Sequence, residues 1–387
     1  MRLTQLPRVV WAVAIGRFFN SASSFVMLFL TLYLTGPRGL DVATAGILAG
    51  TSGIGWLAGN FTGGGWGDRL GHRRVALVAS TVSGLLTVSI PWQPLWLLPL
   101  TLPVGTYLQA TAGVALGALT ALAVPRGDRR TMVAVSRAAS NAGFVIGPPL
   151  GALLALWSYD ALFVVDGLML LVVRFALAPL LPEVAPPAER PTTGFLAALR
   201  ADRSLVRLLV AVVAVDLVYR QLYSTLPVHL RDSGQSVALY AVLMAVGSGL
   251  ILLLEIPVAL RLSGVPSYPI IAVGYALVGV GIALFGLPVS VVSAVVAMVV
   301  LTAGEILYKT TATAHVLDAA PDHLVGQYQG LYNGASTSGS LLAAPIGGLL
   351  YAAAPDLVWP LLGLVALVAA ASVLAGRARF TPTSGPA

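Results

Sequence analysis

The sequence predicts an all-α membrane protein of twelve transmembrane helices in two pseudo-symmetric six-helix bundles, and three observations predict it. Of 387 residues, 57% are hydrophobic and only 10% charged, with a mean hydropathy of +0.89. A soluble domain carries about 25% charged residues, so lipid is the solvent for most of this chain. Apolar stretches long enough to span a bilayer, about 20 residues each, recur along it. Finally, GFVIGPPLGALL at 143–154 aligns without gaps on GSLLAAPIGGLL at 339–350, matching Gly143 to Gly339, Pro149 to Pro345 and Gly151 to Gly347. That offset of about half the chain is expected of two parallel six-helix repeats with a binding site between them.

The elements follow in order. Segment one, 8–35, is too long for a secretory signal and lacks a small-residue cleavage site, so it reads as a retained helix. Segments two and three, 42–66 and 74–91, flank the run GGWGDRLGHRR from Gly64 to Arg74. Its charges cannot lie in hydrocarbon, so Asp68 to Arg74 reads as a hairpin at a water-facing surface. Segments four and five, 95–125 and 132–157, are joined by a loop whose only acid is Asp128, the natural partner for Arg69 or Arg73. Segment six covers 159–181. Residues 182–204, with Pro182, Pro186, Pro187 and Pro191, form the only long polar connection and read as a cytoplasmic linker. The second half repeats the plan at 205–230, 237–261, 268–288, 290–319, 326–354 and 357–376. The domains are thus an N-terminal bundle over 1–181, a linker over 182–204, and a C-terminal bundle over 205–387 ending in a short cytoplasmic tail.

Arginine positions orient the chain. With the amino terminus inside, the inner loops and tails hold Arg2, Arg8, Arg69, Arg73, Arg74, Arg126, Arg129, Arg130, Arg190, Arg200, Arg203, Arg207, Arg261, Arg377 and Arg379, and the outer loops only Arg38 and Arg231. This asymmetry places both termini in the cytoplasm. The net charge of +7 is therefore a topology signal rather than a nucleic-acid footprint. With no Cys, there is no disulfide or thiolate metal site. No phosphate loop is present, and His72, His229, His315 and His323 are scattered. These features predict neither enzyme nor cofactor.

The order Gly64, Asp68, Arg69, Gly71, Arg73, Arg74 resembles the signature loop between helices 2 and 3 of the major facilitator superfamily, with His72 where that family usually has Arg. In segment five, Gly143, Gly147, Pro148 and Gly151 form G-x-x-x-G-P-x-x-G, which resembles the antiporter motif of the drug:proton antiporter, or multidrug efflux, branch. The stretch Pro321 to Gly330 is similar to the corresponding region of bacterial multidrug exporters. An R-x-x-Q-G pattern, common in segment four of such antiporters, aligns best around Thr106, Tyr107, Gln109 and Ala110 and lacks its Arg. The resemblance implies a plasma-membrane secondary transporter working by alternating access as a monomer, exporting small organic molecules or drugs against protons. Proton-coupled uptake of a specific metabolite is the alternative, and a sensor or channel a more remote one. The resemblance also implies that Asp68 locks the cytoplasmic side by bonding near Val325 and Gly326, where helix-dipole charge is positive.

Ionisable groups inside the membrane are costly unless paired or facing a wet cavity. Such groups are Arg17, Arg137, Asp166, Arg174, Asp216, Arg220, Glu255, Glu305 and Lys309. Asp216 with Arg220, and Glu305 with Lys309, share a helix face at i, i+4. Glu305 is the first candidate for proton coupling, since a carboxyl group in low dielectric holds a proton more readily, and a static ion pair with Lys309 is the bland alternative. Asp216 is the second, with Tyr219, Arg220, Gln221 and Tyr223 beside it as pocket-lining candidates. Arg17, with Asn20 nearby, needs an acid from another helix or an anionic substrate. Glu255 reads as a gate or a snorkelling anchor. Arg137, near the cytoplasmic end of segment five, reads as structural.

Overall fold

The structure, a computed structural model, describes residues 3–183 and 203–377, so most of the predicted linker, with Pro186, Pro187, Pro191, Arg190 and Arg200, lies outside the described residues, as do Arg2 and Arg379. In order, the α-helices are α1 Arg8–Ala22, α2 Phe25–Thr35, α3 Val42–Leu70, α4 His72–Ser89, α5 Leu98–Leu122, α6 Arg129–Trp157 and α7 Tyr159–Leu177. The second half supplies α8 Arg203–Tyr219, α9 Thr225–Asp232, α10 Val237–Arg261, α11 Ser267–Leu284, α12 Val291–Ala319, α13 Val325–Ala353 and α14 Pro355–Arg377. Among the described residues, nine helices are long and apolar enough to cross a membrane. The pairs α1–α2 and α8–α9 each make one further span in two pieces. Helix α13 has length enough, but its start, VGQYQGLYNGASTSGS, is too polar to meet that measure.

Segments one and seven break where the sequence suggested unbroken helices. At the first break, Asp166 of α7 accepts from the Val26 amide at 3.3 Å and from the Ser23 hydroxyl at 3.4 Å. A buried carboxylate thus serves donors that the new helix start leaves without intrahelical partners. At the second break the polar partner is Gln221, which donates to the Leu217 and Ala343 carbonyls at 3.2 and 2.9 Å and accepts from Thr225 and Ser224 at 2.6 and 3.1 Å.

The chain forms two compact units, Met1–Phe195 with Val316–Gly334, and Leu196–His315 with Ala335–Ala387. In the first unit, close helix crossings depend on glycine. A Cβ on Gly55, Gly59 or Gly63 of α3 would stand 2.0 Å from the Pro103 carbonyl oxygen, 2.3 Å from that of Tyr107 and 2.7 Å from Thr111 Cα, all on α5. On α6, a Cβ at Gly143 would stand 2.3 Å from the Phe18 carbonyl oxygen of α1. Such small-residue seams let backbones approach where lipid supplies no hydrophobic drive. At one end Arg38 donates to the Pro91 and Gln93 carbonyls at 3.0 and 2.5 Å and lies over the buried Tyr33 ring.

In the second unit, Gly274 faces Gly304, and Gly279 faces Gly363, at similar crossings of α11 with α12 and α14. A Cβ at Gly339 of α13 would stand 2.4 Å from the Val213 carbonyl oxygen of α8. The repeat offset therefore carries the Gly143 crossing of α6 on α1 to that of α13 on α8. Gly151 meets Phe25 and Phe29, and Gly347 meets Gln221 and Thr225, so the same offset holds on both sides of the contact.

Candidate transport site and latch

Helix α3 runs to Leu70, past the predicted end at 66, and the turn into α4 is Gly71 alone, at φ 89°. The left-handed backbone at Gly71 makes a one-residue turn possible. The predicted hairpin over Asp68 to Arg74 is corrected accordingly: Asp68 belongs to the last turn of a helix and is only 3% exposed. Its two oxygens accept from the backbone N–H groups of Gly326 and Gln327, each at 2.9 Å. These are the first free amides of α13, where the helix dipole is positive. His72 Nε2 lies 3.2 Å from the same carboxylate. The approach needs Gly64 and Gly326, because a Cβ on Gly64 would stand 1.8 Å from the Gly326 carbonyl oxygen.

A second set of bonds holds residues 317–322 to the α5–α6 turn. Arg126 donates to the Ala320 carbonyl at 3.0 Å and to Asp322 at 2.9 Å, while the Gly127 amide donates to Asp318 at 3.3 Å. Arg129 is 3% exposed, donates to the carbonyls of Ala121 and Val124 at 3.0 and 3.3 Å, and reaches the Leu317 carbonyl as well. In the sequence Arg126 and Arg129 read only as loop charges, and no local pattern ties them to residues 317–322, 188 or more positions further on. The expected partner of Arg73 is corrected: it pairs with Glu183 at 2.5 Å. Asp128 stands at the N-cap position of α6, and Arg69 and Arg74 are exposed.

In the second unit the structure brings Asp216 and Glu305 together. Lys309 Nζ stands 3.7 Å from Asp216 and 3.8 Å from Glu305, and 4.2 Å from the centre of the Tyr219 ring. The Tyr308 hydroxyl donates to Asp216 at 2.7 Å, and the other Asp216 oxygen is buried without a hydrogen bond. The local Asp216–Arg220 pair expected from spacing does not form, because α8 ends at Tyr219 and a 3-10 turn carries Arg220 away. Arg220 instead donates to Ser340 at 3.0 Å and lies over the Tyr223 ring, which is half exposed. Gln221 is removed from the pocket-lining set, since the break described above occupies its donors and acceptor. Glu255 is corrected from a snorkelling anchor to a side chain 1% exposed that accepts from Thr310.

In the first unit, Arg17 and Asn20 line a cavity of about 160 Å³ together with Asn60, Gln109, Arg174 and Asn333. The Gln109 amide lies 3.5 Å from the Asn20 side-chain oxygen. Of the two partners expected for Arg17, an acid from another helix or an anionic substrate, the first is not found: among the described residues it forms no ion pair or hydrogen bond. Among the described residues no three His, Cys, Asp or Glu side chains gather into a metal-binding group.

The sequence profile of the Major Facilitator Superfamily matches residues 13–344. The chain belongs to the major facilitator superfamily. Two relatives from Bacillus subtilis (strain 168) are the uncharacterized MFS-type transporters YttB, 25% identical over 363 residues with 89% of each chain covered, and YqjV, 25% identical over 358 residues with 88% of this chain and 86% of the relative covered. Among solved structures, the human organic anion transporter MFSD10 (TETRAN) superposes with a TM-score of 0.78 at 16% identity, covering 95% of this chain and 99% of that one. The proton:xylose symporter XylE gives 0.70 at 13% identity, covering 95% of each chain. A bacterial homologue of the iron transporter ferroportin, in an outward-facing state, gives 0.74 at 17%, covering 96% and 100%. At these identities the structural likeness speaks for the fold.

As a major facilitator, the chain is a multi-pass membrane protein and a secondary transporter of small molecules, not an enzyme. Within that fold, Gly143, Gly147 and Gly151 of α6 lie against α1 and α2, where Cβ atoms would stand 2.3 Å from the Phe18 oxygen, 3.0 Å from the Ala22 oxygen and 2.5 Å from the Phe29 ring. Pro148 and Pro149 sit inside α6 between them, each removing one helical donor.

Proposed function

We propose that this transporter is a proton-coupled exporter of small organic molecules, working as a monomer by alternating access in the plasma membrane with both termini cytoplasmic. The observation that carries the reading is the cluster Asp216–Lys309–Glu305. One ammonium faces two carboxylates, all but Lys309 within 5% of full burial. Were both acids ionised, a net negative charge would lie in a low-dielectric span, which is expensive. Two carboxylates shared by one ammonium support a coupling role, because a proton taken up at either acid would change which of them holds Lys309. Such a change of charge inside the fold is what couples a proton to a conformational step.

Support for the conformational half comes from the bonds of Asp68, Arg126 and Arg129 to residues 317–327. They form a latch on the side where arginines crowd the loops, the side we assign to the cytoplasm. The division into bundles at 1–181 and 205–387 about a linker at 182–204 belongs to the same proposal, as does export, which rests on the resemblance of α6 to the antiporter motif. The test is proton flux from liposomes carrying an imposed pH gradient, with cationic, neutral and anionic amphiphiles added in turn to wild type and Glu305→Gln. Substrate-dependent proton movement in wild type and none in Glu305→Gln is expected. Equal flux in both would remove Glu305 from the coupling, and inward accumulation of one solute with protons would replace export by uptake.

A further inference from the structure

The cavity holding Arg17 and Arg174 has a composition unusual for the interior of a membrane protein. Both side chains come from membrane-spanning helices, Arg17 from the middle of α1 and Arg174 from the last turn of α7. Arg174 is 9% exposed, and the Nε atoms of both are buried without a hydrogen-bond partner. Neither guanidinium forms an ion pair or hydrogen bond with any described residue, and the cavity lining contains no Asp or Glu. The nearest acid along α7, Asp166, is committed to Ser23 and Val26 at the break between α1 and α2. The remaining polar lining is neutral amide: Asn20, Asn60, Gln109 and Asn333. Two like charges sharing one cavity that holds no acid repel each other, which an anion entering between them would relieve.

We propose that this cavity binds the anionic group of the transported molecule, a carboxylate, sulfonate or phosphate, so that the substrates are small organic anions. The planar fork of each guanidinium suits such a group, and the amides can accept or donate to its neighbouring atoms. The volume of about 160 Å³ is roughly half the lower limit for a site enclosing a drug-sized ligand, about 300 Å³. It therefore accommodates the charged head, and the apolar remainder projects past it. This assignment rests on the transport reading above and adds its substrate class.

The test uses the full chain in detergent with benzenesulfonate, its neutral counterpart benzenesulfonamide, the cation benzylamine, and sodium sulfate. Benzenesulfonate is expected to raise the melting midpoint with concentration, as a ligand selective for the folded state must, and the neutral and cationic counterparts to bind at least tenfold more weakly. Arg17→Gln and Arg174→Gln should each weaken benzenesulfonate at least tenfold, with Arg17→Lys retaining part of the affinity. Without ligand, both Gln variants should melt at or above the wild-type midpoint, because each removes an uncompensated buried charge. A marked fall in either would mean a structural partner and would overturn the proposal. So would equal binding of benzenesulfonamide, unchanged binding in the Gln variants, or no binding by wild type. Sulfate binding without benzenesulfonate binding would reduce the site to one for inorganic ions and also overturn it. The two readings separate in liposomes. Glu305-dependent proton flux with benzylamine but no anion binding leaves coupling standing and removes the anion class, whereas arginine-dependent binding without any flux does the reverse.

Discussion

At Asp68, two backbone amides and an imidazole converge on one carboxylate buried to 3% exposure. Hydrogen bonds to a charged group contribute about 1.5–3 kcal/mol each, and more is lost when a buried partner is left unsatisfied. Asp68→Asn keeps one acceptor and turns an NH2 group toward a backbone N–H, so the latch loses both charge and a bond. We expect transport below a tenth of wild type with membrane expression unchanged; normal transport by that variant would remove the latch from the cycle. The Arg73–Glu183 pair looks similar on paper, yet the Glu183 side chain is 83% exposed, and exposed pairs are worth about 0–1 kcal/mol. Glu183→Gln should leave melting and transport within error of wild type. Spacing alone located Glu305 beside Lys309, because i, i+4 is a property of one helix. It failed for Asp216 and Arg220, because the helix between them ends at Tyr219 and Arg220 bonds Ser340 of α13 instead.

The helices themselves were largely legible, since apolar length is a strong signal in a chain whose solvent is lipid. The breaks in segments one and seven were not. The break in residues 8–35 falls at Ser23–Ser24 with no proline to mark it, and the carboxylate that stabilises it, Asp166, comes from a helix more than a hundred residues later. The glycines of α6 stand out in the sequence by their resemblance to the antiporter motif, whereas Gly55, Gly59 and Gly63 of α3, which make as close an approach to α5, match no such motif. The repeat gives this scale its sharpest test. Gly143→Ala and Gly339→Ala place a Cβ 2.3 and 2.4 Å from a carbonyl oxygen of the facing helix at equivalent positions of the two halves. Overpacking of this kind costs about 1–3 kcal/mol. Both variants should therefore lower the melting midpoint in detergent by similar amounts. A neutral result at either would mean that the crossing relaxes there and that the packing equivalence of the halves stops at the sequence.

For the molecule as a whole, the two-half plan could be read from a single aligned dozen residues because duplication leaves its trace in the chain. The sites could be read only in part. Arg17 and Arg174 belong to the first and sixth segments, and nothing in either segment announces that they share a cavity without an acid. Likewise, Lys309 bridges two carboxylates 89 residues apart, which no local pattern encodes. The proposed alternating-access cycle would make one demand on these parts together: residues 316–334 would have to leave α3, α5 and α6 once in each cycle. Arg126 and Asp322 are exposed, 2.9 Å apart, and the chain contains no cysteine, so Arg126→Cys with Asp322→Cys introduces the only two thiols. The decisive measurement is substrate-driven proton flux by this double variant in liposomes, before and after a short bifunctional thiol cross-linker that can be reversed by reduction. Flux is expected when reduced, none when cross-linked, and recovery on reversal; undiminished flux through the cross-linked protein would mean that residues 316–334 need not leave α3, α5 and α6 during transport.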